Sequence, residues 1–205
     1  PGQRVLDPFC GTGTTLVECK KLRIPCIGVE ANPMAHFASQ VKTDWSPDPE
    51  GLLDHASRLA ESAHTELVRQ GIHDAPLPLF DTQVSSDRAL VELKILDAKT
   101  QALLLTDSIS PLPLHKVLVL LEQLGQHHDP RYASHERLAL AKALVCSIGN
   151  LQFGPEVGVG PPKENAPVIT SWLETVRMMA EDLKYIGSGK ETNAQVHLAD
   201  ARELT

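Results

Sequence analysis

One short run, Asp7-Pro8-Phe9-Cys10-Gly11-Thr12-Gly13-Thr14, and a carboxylate that follows it at Glu30 carry the reactive character of this sequence. Two glycines one residue apart let the backbone bend and let a ligand come close, and the free N–H groups of a helix starting at Thr14 would face that ligand. The chemistry of such a turn is capture of an anion or a polar group. A dinucleotide fingerprint, G-x-G-x-x-G, needs a third glycine where this chain has Leu16. A phosphate-cradling loop, G-x-x-x-x-G-K-[ST], needs a lysine directly after its last glycine, and none follows here until Lys20. Both spacings argue against those two ligand classes. Glu30 ends the next apolar run, near the roughly 20-residue offset at which a carboxylate can accept both hydroxyls of a ribose. Turn and carboxylate together suit a nucleoside.

Periodicity gives the strands and helices around these residues. Arg4 to Leu6 reads as a buried strand, Thr14 to Leu22 as a helix, and Pro25 to Val29 as a second strand ending on Glu30, which makes a βαβ unit. Asn32-Pro33 caps and opens a helix over Met34 to Val41. From Asp44 the sequence turns helical where a third strand would be due. Leu52, Ala56, Leu59, Ala63 and Leu67 form a stripe closed by Gly71, Ala89 to Leu105 reads as helical, and Pro113 to Leu124 and Ala133 to Ile148 give two more helices. Phe153 to Pro167 is rich in Gly and Pro and reads as a linker or a lid. Val168 to Ile186, with Trp172, Val176, Met179 and Leu183 on one side and Gly187 as its stop, is expected to pack on the sheet. A short strand over Gln195 to Ala199 then delivers Asp200 at its carboxyl end, where open α/β sheets bind ligands. The class is α/β with a large, mostly α-helical insertion between the second and third strands. Its segments are 1–44 (α/β), 45–150 (helical insertion), 151–167 (loop) and 168–205 (return to the α/β part).

Composition bounds the rest. The 205 residues are 42% hydrophobic and carry a formal charge of −7, with a pI near 5.7. That is a core for one large domain, or for one domain with an insertion, and a charge that argues against nucleic-acid binding through a global field. Cys10, Cys19, Cys26 and Cys146 show no zinc spacing and read as buried, reduced thiols of a cytoplasmic protein. No apolar run is long enough to cross a bilayer and no signal pattern opens the chain, so no membrane is expected as a partner, and the cysteine and histidine spacings give no metal either. His127, His128, Asp129 and His135 are metal-ligand types at a spacing that fits no familiar site, and read as surface residues. Ser85-Ser86-Asp87 looks like a helix cap. Arg131, Arg137 and Lys142 read as solvated charges, and Glu156 and Asn165 could meet the site only if their loop folded back over it.

Asp7, Pro8, Phe9, Gly11, Gly13 and Thr14 are shared with the D-P-F-x-G-x-G-T motif of S-adenosylmethionine-dependent amino-methyltransferases. The sequence resembles the adenine-N6 and cytosine-N4 DNA methyltransferases, the enzymes of restriction-modification and epigenetic systems. The resemblance is strong over Val5 to Pro33 and weak over Ala199 to Leu204. It implies a partial Rossmann-like class I methyltransferase sheet and S-adenosylmethionine as cofactor. Phe9 would pack near the sulfonium or the adenosine, Gly11 and Gly13 would allow close approach, and Thr14 with the helix N-terminus would meet the methionine carboxylate. Asp7 would accept from the methionine ammonium directly or through water, or would only stabilise the turn. Asp200 and Ala201 match the place after the third strand where the family holds the adenine amino group, although Asp200 also reads as a helix N-cap. Family enzymes grip the target amine with a D/N/S-P-P-Y/F/W tetrad, which this chain lacks. Gly160-Pro161-Pro162-Lys163 has neither the polar nor the aromatic member, so no catalytic residue is assigned. With its start at Pro1 and its end at Thr205, the chain reads as trimmed from something longer, and DNA would be bound through the full-length protein. An RNA guanine-N2 methyltransferase, whose motif is similar, and a non-catalytic cofactor-binding or interaction module are the alternatives.

Overall fold

A computed structural model describes residues 2–75, 92–187 and 193–203. In chain order the elements are β1 (Val5–Asp7), α1 (Thr14–Lys21), β2 (Cys26–Glu30), α2 (Pro33–Thr43), α3 (Pro49–Arg69), α4 (Ala98–Gln101), α5 (Pro111–Gln126), α6 (Ala133–Ala143), β3 (Leu151–Phe153), β4 (Val157–Val159), α7 (Val168–Ile186) and β5 (Ala194–Leu198). They form two compact units, Pro1–Gly51 with Ala180–Thr205, and Leu52–Met179, divided within α3 and α7.

The first unit carries a parallel three-stranded sheet in the order β1-β2-β5. Leu6 stands beside Ile27 and Glu30 beside Leu198. The third strand of the sheet is therefore supplied from beyond the helical stretch. One face is apolar and closed: Cys10, Leu16, Cys19 and Cys26 form a buried cluster with Val5, Ile24, Ala194 and Val196 against it. Period-2 alternation explains why Val5, Cys26 and Val196 share that face while Leu6 and Ile27 point the other way and are exposed. Helix α1 ends in a Schellman arrangement, with Ile24 N–H donating to the Cys19 carbonyl and Arg23 N–H to that of Lys20, and Arg23 takes the left-handed conformation usually given to glycine. Helix α2 is capped by Asn32, whose side-chain oxygen accepts from the N–H groups of Met34 and Ala35.

Gly28 of β2 is where α1 comes closest to the sheet. A Cβ there would lie 2.6 Å from Leu16 Cδ1 and 2.8 Å from Cys10 Sγ. Cys10 Cβ would lie at 3.0 Å as well, and both residues are buried in the closed cluster, so Gly28→Ala is expected to cost about 1 to 3 kcal/mol, the range of overpacking penalties. A lowered urea midpoint with an unchanged m-value is the result that checks it.

The second unit is helical, with its core on one stripe of each long helix: Leu52, Leu59 and Leu67 of α3, Val117 and Leu120 of α5, Leu138 and Ala143 of α6, Trp172 and Val176 of α7. The sequence reading is corrected here in several places. Within the described residues 92–105 only Ala98–Gln101 is helical, capped by Asp97, and those from 92 to 97 form no element; Ala89 to Val91, like the Ser85-Ser86-Asp87 cap, lie outside the described residues. Helix α6 stops at Ala143 and continues as one π-helical turn, Leu144–Ile148. The stretch read as a loop from Phe153 begins as an antiparallel hairpin, β3 pairing with β4. The first part of α7 belongs to the helical unit and not to the sheet, and its Trp172 indole donates to the Glu136 carbonyl at 2.9 Å.

Two further expectations change with burial. His135 is buried although its neighbours His127 and His128 are exposed, because the α6 stripe of Ala133, Leu138 and Ala139 turns it inward. Cys146 is exposed, unlike the other three thiols. Burial raises the Cys10 thiol and pushes Cys26 up to about 11, which disfavours the reactive thiolate. Cys146 is therefore expected to react first with a thiol reagent under native conditions, with Cys10, Cys19 and Cys26 reacting only on unfolding; mass mapping of the labelled positions checks it.

Candidate ligand-binding site

Three carboxylates stand at the carboxyl end of the sheet, one per strand. Asp7 closes β1, Glu30 closes β2, and Asp200 lies just beyond β5, where Ala199 N–H donates to the Glu30 carbonyl. A parallel sheet puts all three at one edge although 170 positions separate Glu30 from Asp200.

The turn between β1 and α1 is built from left-handed glycines. Gly11 has φ 54° and Gly13 φ 85°, a region that a side chain makes costly. Gly13 N–H donates to the Cys10 carbonyl, and Cys10 N–H to the Val29 carbonyl, which ties the turn to β2. Gly13 is also the N-cap of α1, and among the described residues no side chain caps that helix. Its first-turn N–H groups, Thr14 among them, therefore present partial positive charge without a side-chain acceptor. Asp7 Oδ1 accepts from Phe9 N–H at 3.1 Å, which turns the chain sharply after β1. Phe9 itself is 79% exposed.

Glu30 is held from both sides. Its Oε2 accepts from Gly11 N–H at 2.9 Å and its Oε1 from Asn32 N–H at 2.8 Å. A carboxylate has about four acceptor positions, so one remains on each oxygen for an incoming pair of donors. The side chain is oriented before any ligand arrives. Asp200 is differently engaged: its Oδ1 accepts from Arg202 N–H at 2.9 Å as the cap of a short 3-10 turn, Ala201–Glu203, and both oxygens pair with the Arg202 guanidinium. Arg202 holds the Asp200 carboxyl below its ordinary range. The arginine side chain is 88% exposed, and an exposed pair of this kind is weakly held.

Other groups take structural places. Asn165 accepts from Lys116 Nζ inside the helical unit, and Glu156 is exposed between β3 and β4. Arg131 is paired with Asp129 and draws that carboxyl down to about 2. Among the described residues no group of His, Cys, Asp and Glu could hold a metal, and no helix is long and apolar enough to cross a membrane. Motif reading missed two neighbours of the turn on α2. Ser39 donates to the Gly11 carbonyl at 2.7 Å and Lys42 Nζ to Thr12 Oγ1 at 3.0 Å. The signal available for Ser39 was a small polar residue on the apolar stripe with Ala38 and Val41.

Residues 1–40 match the sequence model of a family described as DNA methylase. Type II methyltransferase M.SmaI of Serratia marcescens is 56% identical over 42 residues, which are 20% of this chain and 14% of that protein. Type II methyltransferase M.MjaII of Methanocaldococcus jannaschii is 42% identical over 41 residues, 20% of this chain and 8% of that protein. Both matches thus span a small part of either relative. No solved structure matches the chain.

Proposed function

We propose, from the match of residues 1–40 to the DNA methylase family, that this chain is the S-adenosylmethionine-binding portion of an enzyme that methylates an exocyclic amino group of adenine or cytosine in DNA. The observation that carries the reading is the Glu30 carboxylate, oriented by Gly11 and Asn32 beside an uncapped helix start. Its donor and acceptor set suits this cofactor piece by piece. The α1 N-terminus with Thr14 would take the methionine carboxylate and Asp7 the ammonium. Glu30 would accept the ribose hydroxyls, and the exposed Phe9 ring would cover the adenosine or the sulfonium. Asp200 and Ala201 would meet the adenine edge, with Arg202 released from the exposed pair. When bound, the cofactor supplies an activated methyl group for transfer to an amine. The protein residues named here bind and orient it; alignment of the reacting atoms is the main lever in such a transfer. The sheet would be the β1-β2-β5 half of a Rossmann-like methyltransferase fold, with the helical unit as an insertion used for target recognition or partner contact.

The test is a calorimetric titration of the 205-residue chain with S-adenosylhomocysteine, with NAD as control. Saturable binding of the first alone supports the reading. Binding of NAD, or of neither, removes it.

A further inference from the structure

Gly11 is the pivot of the site, because its two flanking peptides face opposite partners. The N–H before it points to Glu30 Oε2 at 2.9 Å. The carbonyl after it accepts from Ser39 Oγ at 2.7 Å. A left-handed glycine is free to leave its conformation unless both flanking peptides are held, and these two hydrogen bonds hold them. Ser39 is fully buried, and it sits where the turn comes closest to α2: a Cβ on Gly13 would lie 2.9 Å from Ser39 Oγ and 3.0 Å from its Cα. The turn thus rests directly on this residue, and a longer side chain at either position would push the two apart.

We infer that Ser39 is a positioning residue for the cofactor: it sets the Gly11 peptides so that one N–H orients the Glu30 carboxylate, and it acts on ligand affinity through Glu30. The inference rests on the cofactor reading above and goes beyond it, since Ser39 lies outside the glycine motif and reaches no ligand-facing edge of the strands. Loss of its hydroxyl leaves the Gly11 carbonyl only the long contact from the Cys10 thiol at 4.0 Å and lets the turn rotate away from Glu30. The effect is a looser diol-binding carboxylate with the fold otherwise kept.

The experiment is a double-mutant cycle on the full chain, with Ser39→Ala, Glu30→Gln and the pair, read by titration with S-adenosylhomocysteine and by melting without ligand. The expected result is an affinity about fivefold weaker for Ser39→Ala, the usual worth of one hydrogen bond. Added to Glu30→Gln, the same change should cost little more, because the residue it acts through has already been altered. Ser39→Ala with unchanged affinity, effects of the two changes that simply add, or a loss of melting temperature with unchanged affinity would each overturn the positioning role and leave the cofactor reading standing. A wild-type chain that binds no S-adenosylhomocysteine would remove that reading and the inference together.

Discussion

Truncating Lys116 to alanine is expected to destabilise the chain by about 3 to 5 kcal/mol, the cost of breaking a buried charged network by removing one partner. Lys116 is fully buried on α5. Its Nζ donates to the Asp74 carbonyl at 2.6 Å, to the Ala166 carbonyl at 3.1 Å and to Asn165 Oδ1, with Asp74 Oδ1 at 4.0 Å. All three ammonium protons are used, which is how a lysine becomes tolerable in a core. Burial nonetheless lowers its pKa, against the opposing pull of Asp74. The Asp74 carboxylate in turn caps α7, accepting from Ile169 N–H at 3.0 Å and from Thr170 N–H at 2.9 Å and Oγ1 at 2.8 Å. Removing the ammonium strands two carbonyls, an amide oxygen and a carboxylate that also anchors a helix. Lys116→Met keeps much of the volume and tests the charge alone, so it should recover only part of the loss. Guanidinium unfolding of both variants measures this, and a loss below about 1 kcal/mol for alanine would mean that water can replace the ammonium.

The second large effect is on binding. Glu30→Ala is expected to weaken S-adenosylhomocysteine by about 1 to 3 kcal/mol, roughly 5- to 150-fold, because it removes a charged acceptor and strands the N–H groups of Gly11 and Asn32. Titration of wild type and variant side by side reads it directly. An unchanged affinity would take the ribose away from Glu30 and leave it as a brace for the turn.

Much of the sheet unit was legible in the chain itself. The strands around β1, β2 and β5, the helix after Gly13 and the Asn32 cap each have a local cause: an apolar run, a glycine turn, a side chain that reaches its own backbone. The hairpin of β3 and β4 was not legible, because Gly and Pro mark the ends of strands as readily as they mark loops, and each strand is only three residues long. Nor was the role of Lys116, since one basic residue within α5 looks like any solvated charge until its partners from other segments are known.

The division between sequence and tertiary structure follows the range of the forces. The turn from Asp7 to Thr14 could be read locally, because glycine conformation and helix-end polarity depend on neighbours a few residues away. The sequence also placed Glu30 and Asp200 at strand ends. The adjacency of Glu30 and Asp200, with the insertion looped out between them, was also expected from the order of the strands; the parallel register of β5 on β2, Glu30 beside Leu198, came from the tertiary structure. It alone showed the orientation of Glu30 by the Gly11 and Asn32 amides and the seating of the turn on Ser39. Those contacts join segments whose separation along the chain carries no local signal, and they form only when the apolar face of the sheet is buried against α1.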